Sequence, residues 1–274
     1  MTSHRALALI GTAVTTAALI AGCSTAPSTP GPTSGEPVLS LDATTGDTTA
    51  AAVNQWGAPG PGSDDFTDGG VDPTRWDVYD GDGHAGNGTR SPDAVAVRDG
   101  VLTITGDAEG TTGGLANRTA QRYGRWEVRM RAAPLPGASD GDPYHPVLLL
   151  WPANAPGSVK PGGTGGEIDF AETDVGSGQV STFLHPPTSD ADRKAFRQPV
   201  DLSQWHNYAV EWTPTHIAGW IDGQQWYVVT DLVVQPGGPM TPCVQLDANT
   251  PSGLQPAVME TDWIHIYPPP PGSD

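Results

Sequence analysis

Large apolar residues alternate with polar ones at a period of two along several short segments. In residues 124–132 three large apolar side chains alternate with charged ones, and residues 207–212 repeat the pattern. Successive side chains of a strand point to opposite faces, so this period predicts half-buried β-strands rather than helices. Asp-Gly pairs at 99–100 and 222–223 lie between such segments and are typical of hairpins. The sequence therefore predicts an all-β sandwich or jelly roll.

One predicted strand carries three acids in the segment Glu-Ile-Asp-Phe-Ala-Glu. Alternation places Glu167 and Asp169 on one face, but it turns Glu172 toward the core. Burial of an unpaired carboxylate in the core costs on the order of several kcal/mol. A β-bulge at residues 170–171 would return Glu172 to the face of the other two. We therefore predict a bulged strand with three acids in one row.

Such a row suits a retaining glycosidase, which needs two carboxyl groups about 5–5.5 Å apart, one as nucleophile and one as acid/base. Asp169, in the middle, would hydrogen-bond the nucleophile. Two other interpretations stay open on the triplet alone. The acids could form a solvated strand face in an acidic protein, or they could bind Ca²⁺ through hard oxygen ligands.

The overall charge excludes some partners. The chain has 31 acidic and 13 basic residues and a formal net charge of -18. Nucleic acids and anionic lipid surfaces attract clustered Lys and Arg, so neither is an expected partner.

The N-terminus predicts export. Arg5 and an apolar run at residues 6–20 precede Leu-Ile-Ala-Gly-Cys, which resembles a bacterial lipobox ending at Cys23. We predict a signal peptide at 1–22, lipidation of Cys23, and a flexible Ser/Thr/Pro/Gly/Ala linker over 23–61. The protein would then be an extracytoplasmic, cell-surface lipoprotein that meets the membrane only through its lipid. The alternative is an ordinary secretory signal with an incidental cysteine.

The motif Glu-x-Asp-x-x-Glu, preceded by two glycines, resembles glycoside hydrolase family 16. Further segments follow in the family order over residues 64–267. They are DDF (64–66), RWDVYDG (75–81), VRDGVLTITG (97–106), YGRWEVRMR (123–131), WHNYAVEWTPTHIAGWIDG (205–223) and METDWIHIY (259–267). We therefore place the family domain at 62–268 and a tail at 269–274.

The resemblance implies a jelly roll of two curved antiparallel sheets with a concave substrate cleft. It implies a retaining endo-glycosidase that cuts internal β-linkages of a β-glucan or galactan-type polysaccharide by double displacement. Glu167 would be the nucleophile, Glu172 the acid/base and Asp169 the assisting carboxylate, with no cofactor in catalysis. We expect a monomer. A transglycosylase with the same residues and a non-catalytic carbohydrate-binding lipoprotein are the alternatives.

The resemblance also suggests substrate-binding positions. His185 falls where members place a histidine near the catalytic centre. Many β-1,3-glucanases of the family carry Trp-Pro-x-x-Trp where this chain has His145 and Leu149, so selectivity for laminarin is in question. Further subsite candidates, each with core packing or another structural role as its alternative, are Asn87, Arg90, Trp126, Trp151, Trp205 and Trp220.

Family members often hold a structural Ca²⁺ far from the cleft. The matching positions are Asp65, Gly100 and Asp262. Backbone oxygens supply most of that site, so a structural Ca²⁺ is an expectation that side chains alone test poorly.

Overall fold

A computed structural model describes residues 48–153 and 165–273, which form 17 strands, one short α-helix and four 3-10 helices. The strands are β1 (Trp76–Val78), β2 (Gly81–Asp82), β3 (Thr89–Arg90), β4 (Val95–Arg98), β5 (Val101–Gly106), β6 (Thr111–Thr112), β7 (Gly114–Asn117), β8 (Gly124–Pro134), β9 (His145–Pro152), β10 (Glu167–Glu172), β11 (Gln179–His185), β12 (Lys194–Pro199), β13 (His206–Trp212), β14 (Ile217–Ile221), β15 (Gln224–Val229), β16 (Met240–Asp247) and β17 (Ala257–Tyr267). The helices are α1 (Ala50–Val53) and the 3-10 turns His84–Gly86, Pro92–Ala94, Asp190–Asp192 and Leu232–Val234.

The predicted signal peptide, Cys23 and the linker as far as residue 47 lie outside the described residues. No helix within the described ranges is long and apolar enough to span a bilayer.

Two seven-stranded antiparallel sheets make up the body of the fold. Sheet 1 has the order β1-β7-β16-β9-β10-β11-β12, and sheet 2 has the order β15-β14-β13-β8-β17-β5-β4. A small third sheet, β2-β3-β6, lies between β1 and β7 in the chain. The predicted all-β jelly-roll sandwich is confirmed.

The core fills the space between the two large sheets. Leu148 and Ile168 of sheet 1 belong to the same buried cluster as Trp126, Val210 and Trp212 of sheet 2. Both tryptophans are fully buried, which confirms the core position that the alternating pattern predicts for them.

The two Asp-Gly pairs form the predicted hairpin turns. Asp99 and Gly100 join β4 to β5 with φ of 51° and 78°, and Asp222 and Gly223 join β14 to β15 with φ of 49° and 76°. Positive φ at both central positions is the requirement of the turn that matches strand twist, and Asp-Gly tolerates it.

The predicted linker ends earlier than residue 61, and this boundary was wrong. Residues 48–61 pack on the outer face of sheet 2. The backbone N–H groups of Ala50 and Ala51 donate to the buried carboxylate of Glu127 at 2.6 and 3.1 Å. Trp56 is 5 % exposed. The few apolar groups of this segment are enough to dock it, because sheet 2 offers a complementary surface. That surface includes the buried Glu127 carboxylate, which needs hydrogen-bond donors.

The predicted tail is also partly packed. Ser273 is 6 % exposed, and its N–H donates to the carbonyl of Pro270 at 3.2 Å.

Candidate active site

The predicted bulge lies in the middle of β10. Asp169 pairs with Leu149 of β9 and Ala171 pairs with Leu148, which leaves Phe170 as an extra residue. Phe170 and Ala171 are both buried in the core. The register against β11 shifts at the same place. The bulge returns the last acid of the segment to the face of the first two, as alternation required.

We call the side of sheet 1 that carries Glu167, Asp169 and Glu172 the acidic face. Directly paired residues share a face of a sheet. The acidic face therefore also carries His145, Val147, Leu149 and Trp151 of β9, Ser181, Phe183 and His185 of β11, and Thr241, Cys243, Gln245 and Asp247 of β16. The three acids thus lie on a strand that has β9 on one side and β11 on the other.

Glu167, Asp169 and His185 form a tight buried group. Each offers an oxygen or nitrogen atom, and these atoms lie within 4.8 Å of one another. Nε2 of His185 is 3.1 Å from Oδ2 of Asp169, and Nδ1 is 2.5 Å from Oδ1 of Asp190. The Thr182 hydroxyl donates to the Asp169 carbonyl at 2.6 Å. These contacts fix both the side chain and the backbone of Asp169.

Burial, and then the charge of Asp169, raise the pKa of Glu167 to about 9. Burial also raises the pKa of Asp169 well above its ordinary value, with the charge of Glu172 as the next cause. One oxygen of the Glu167 carboxyl lies within 4.8 Å of one oxygen of the Asp169 carboxyl. Two such close buried carboxyls cannot both ionise readily, which favours retention of a proton by the pair.

Glu172 faces a different histidine. Its Oε1 lies 2.7 Å from Nε2 of His145, and Nδ1 of the same ring lies 2.8 Å from Oδ1 of Asp174. The Glu172 side chain is 22 % exposed, whereas Glu167 is 9 % exposed. The two glutamates therefore differ in environment, as two carboxyls with different tasks would require.

Three other predicted subsite residues, Trp151, Arg90 and Asn87, lie toward β16, which is separated from the acidic strand by β9. Trp151 is half-buried and packs against Val147, Leu149 and Cys243. Arg90 lies over the Tyr79 ring and binds Gln245 and, at 2.6 Å, Asp247. Nδ2 of Asn87 donates to the Asn249 carbonyl at 3.2 Å. Trp151 lies on the acidic face and Arg90 binds two side chains of that face, and contact of any of the three residues with a sugar stays a prediction.

Three tryptophans do not lie on the acidic face, and their contacts agree with the structural alternative left open for each of them. Trp126 is in the core. Trp220 meets Trp56 edge-on at 5.5 Å on the outer face of sheet 2. Arg131 lies over the Trp205 ring at 4.7 Å. Each ring is used for packing or for a cation–π contact within sheet 2.

The residues matched to the calcium site do not offer free carboxylates. Asp65 lies 2.8 Å from Nε2 of His265, and Asp262 lies 3.2 Å from Nε of Arg129. Gly100 occupies the β4–β5 turn and contributes only backbone. These contacts do not test a site built mostly from backbone oxygens, so a structural Ca²⁺ stays a prediction.

Sequence reasoning missed the residues that support the acids. Asp174 and Asp190 each hold a histidine of the acidic face, and Asp247 of β16 pairs directly with His145 of β9. The spacing of Asp174, two residues after Glu172, was a local signal. The others depend on strand order, which no short motif contains.

The chain belongs to the glycosyl hydrolases family 16, whose model matches residues 83–264. The family assignment inferred from the motifs is thus confirmed.

Individual relatives agree with this assignment. A β-glucanase of Rhodothermus marinus is 32 % identical over 187 residues, which are 60 % of this chain and 63 % of that protein. The match thus spans less than two thirds of that relative. The catalytic domain of an endo-1,3-β-glucanase (laminarinase) from Thermotoga petrophila aligns with a TM-score of 0.61 at 23 % identity, over 75 % of this chain and 95 % of that one. A laminarinase from Flavobacterium sp. UMI-01 aligns with a TM-score of 0.63 at 22 % identity, over 75 % and 98 %. The two structures show the same fold.

Proposed function

We propose that this protein is a retaining endo-glycosidase that hydrolyses internal β-linkages of a polysaccharide. The observation that carries the proposal is the bulge, which brings the three acids of the family motif onto one face of sheet 1. Membership of the family supports it. A solvated strand face would not bury Glu167 and Asp169 to 9 % and 3 % exposure.

In the first step a carboxylate oxygen of Glu167 attacks the anomeric carbon. The glycosidic C–O bond breaks, and Glu172 gives its proton to the departing oxygen. Asp169, held by His185 at 3.1 Å, keeps the shared proton and positions the Glu167 carboxylate by a hydrogen bond. The product is a glycosyl ester on Glu167 and a shortened chain with a new hydroxyl group.

In the second step Glu172, now a carboxylate, removes a proton from water. The water oxygen bonds to the anomeric carbon and the ester bond breaks, which restores Glu167. Two inversions at the anomeric carbon give net retention. The reaction uses the carboxyl groups of the chain and water, and it needs no cofactor.

We propose a β-glucan as the first substrate to test. The relatives named above are a β-glucanase, an endo-1,3-β-glucanase and a laminarinase. The paired tryptophans of many β-1,3-glucanases are replaced here by His145 and Leu149. The panel should therefore contain β-1,3-glucan, mixed-linkage glucan and galactan-type polymers.

The test compares wild type with Glu167→Gln on the best polysaccharide of that panel. We expect Glu167→Gln to lose at least about a thousandfold in kcat, because the nucleophile has no substitute. Glu109→Gln, an exposed glutamate in the β5–β6 loop, is the matched control and should keep wild-type turnover. Near wild-type activity of Glu167→Gln would refute the assignment.

The stereochemistry gives an independent check. NMR of the earliest products should show the β-anomer first, and an initial α-anomer would rule out double displacement. Lengthened products with oligosaccharide acceptors would instead indicate the transglycosylase. A protein that binds the panel without cleaving it would indicate the non-catalytic alternative.

We further propose that the protein is a cell-surface lipoprotein anchored through Cys23, with the folded part a monomer. The lipobox-like Leu-Ile-Ala-Gly-Cys supports the anchor. Mass spectrometry of the membrane fraction should find a lipidated N-terminal Cys23, and Cys23→Ser should release the protein into the soluble fraction. A mature N-terminus elsewhere would indicate ordinary secretion.

A further inference from the structure

His145 engages both of its ring nitrogens with carboxylates. Nε2 lies 2.7 Å from Glu172, and Nδ1 lies 2.8 Å from Asp174. The His145 side chain is 17 % exposed. A histidine held in this way has no ring nitrogen left for a sugar hydroxyl, so its predicted role as a substrate-binding residue does not fit its contacts.

The register of β9 and β10 produces this arrangement. The register of β10 on β9 ends with Glu172 opposite Val147, and the N–H of Thr173 then donates to the carbonyl of Pro146 at 3.4 Å, which brings Asp174 beside His145. The N–H of Val175 donates to the carbonyl of Tyr144 at 2.9 Å, which keeps the two chains side by side there. The ring of His145 therefore lies between two acids of the neighbouring segment by backbone geometry.

We propose that His145 is a positioning residue that shares the transferable proton of Glu172, while Asp174 orients its ring. The inference rests on the proposed function, because it concerns how the acid/base of that reaction is supplied with its proton. The acid/base of this enzyme is then a unit of three residues rather than a single carboxyl.

The proton arrangement follows from the distances. Nδ1–H of His145 donates to Asp174, which leaves Nε2 facing Glu172. One further proton lies between Nε2 and the carboxyl of Glu172, and it resides on either atom without changing the total charge. This proton is shared by the pair, because Nε2 of His145 and Oε1 of Glu172 are only 2.7 Å apart.

The electrostatics favour a protonated pair. Burial lowers the pKa of His145, but the hydrogen bonds and negative charges of Glu172 and Asp174 outweigh this effect and raise that pKa above its ordinary value. A carboxyl acid without such a partner loses its proton at lower pH than a histidine does. The unit therefore keeps a proton available for the leaving group at a higher pH than a lone glutamic acid would.

The proton balance of the proposed reaction is kept. In the first step one proton passes from Glu172 to the glycosidic oxygen, and the pair is left as a carboxylate beside a neutral ring. In the second step the proton taken from water returns to the pair as the water oxygen bonds to the anomeric carbon. Throughout both steps Nδ1 of His145 keeps its proton and donates it to Asp174 as a hydrogen bond. This bond prevents the ring from turning.

Other charged groups surround this unit, and they remain in place in every variant used below. They are Glu167 and Asp169 on β10, His185 on β11, Arg197 on β12, Asp247 on β16, and His84 and Arg90, which both contact Asp247. Their effect is common to wild type and variants, so a difference between profiles reports on the unit.

The first experiment measures kcat/KM against pH on the best polysaccharide. The alkaline limb of His145→Gln should move to lower pH by about one unit or more, which is about tenfold in rate on that limb. Asp174→Asn should move the limb in the same direction by less, because one of the two acids that favour the protonated ring is lost. KM should change little in either variant.

The matched control is His216→Gln. His216 has both ring nitrogens engaged, with Nε2 3.0 Å from Glu211 and Nδ1 2.9 Å from Thr213, but it lies in the turn between β13 and β14 of sheet 2. Its alkaline limb should coincide with that of wild type. A raised KM with an unmoved limb in His145→Gln would identify a sugar contact and overturn the proposal.

A second experiment needs no turnover. NMR titration of the His145 ring should give a lower midpoint in Glu172→Gln than in wild type, because the partner charge is removed. An unchanged midpoint would overturn the proposal even if His145→Gln failed to fold. A folded wild-type protein with no activity on the whole panel would refute the proposed function. An active wild-type protein with an unchanged His145 midpoint in Glu172→Gln would refute only the role of His145.

Discussion

Replacing Trp56 with alanine should destabilise the folded domain strongly, although residue 56 lies in a segment of flexible composition. The ring is 5 % exposed. It meets Trp220 and Tyr267 edge-on, each with 5.5 Å between ring centroids, and Arg125 lies 5.4 Å from its centre. A side chain so enclosed cannot be removed without leaving either a cavity or a detached segment.

The magnitude follows from the area that the ring loses to solvent. A buried tryptophan removes about 150–250 Å² from water, and at about 25 cal/mol per Å² this is about 4–6 kcal/mol. A compact unfolded chain already buries part of this area, which reduces the figure to about 3–5 kcal/mol. That value agrees with the usual cost of about 3–5 kcal/mol for Trp→Ala in a core.

Urea unfolding followed by circular dichroism measures this free energy directly. Thermal unfolding should show Tm lower by about 6–20 °C, at about 2–4 °C per kcal/mol for a domain of this size. Val53→Ala is the matched control, because Val53 lies in α1 of the same segment but is 55 % exposed. Its free energy of unfolding should change by less than about 0.5 kcal/mol. Equal, small effects of the two substitutions would show that residues 48–61 do not dock on sheet 2.

Three further predictions concern buried groups. Burial raises the pKa of Glu127 to about 7, so the stability that its proton contributes is complete below about pH 4.5 and is lost as the pH rises through about 7. The free energy of unfolding is measured at pH 5 and 8 for wild type and Glu127→Gln. The variant should show about 3 kcal/mol less change between the two pH values. Arg90→Ala leaves Asp247 buried without its 2.6 Å partner and should cost about 3–5 kcal/mol, whereas Arg118→Ala, which breaks an exposed pair, should cost less than about 1 kcal/mol in the same assay. Burial raises the pKa of Cys243 to about 12, so a thiol reagent at pH 8 should label it only after unfolding, and rapid labelling of the native protein would contradict its burial.

Local pattern was sufficient for the bulge. Three acids on one strand admit few arrangements, because a carboxylate in the core is so costly that the backbone must compensate. Thr182, whose hydroxyl binds the Asp169 carbonyl at 2.6 Å, stabilises the result but has no recognisable signature in the sequence.

Contacts between distant segments were beyond local pattern. The segment around Trp56 reads as a linker by composition, since its docking depends on Glu127 and Trp220 of sheet 2. His145 was assigned to substrate for a similar reason. Its position was known from the motif, but Asp174 lies opposite it only once β9 and β10 are paired.

The bulge also changes what identifies this constellation in other proteins. Glu172 lies opposite Val147 and Asp169 lies opposite Leu149, so only one residue of β9 separates the two partners. A regular strand with one residue fewer, Glu-x-Asp-x-Glu, would place its three acids against the same neighbours on the same face. A separation of five residues with a bulge and a separation of four residues without one therefore place the two glutamates in the same arrangement. The positions of the acids on the sheet define the site. A search by sequence spacing would therefore put proteins whose acids occupy the same positions into separate groups.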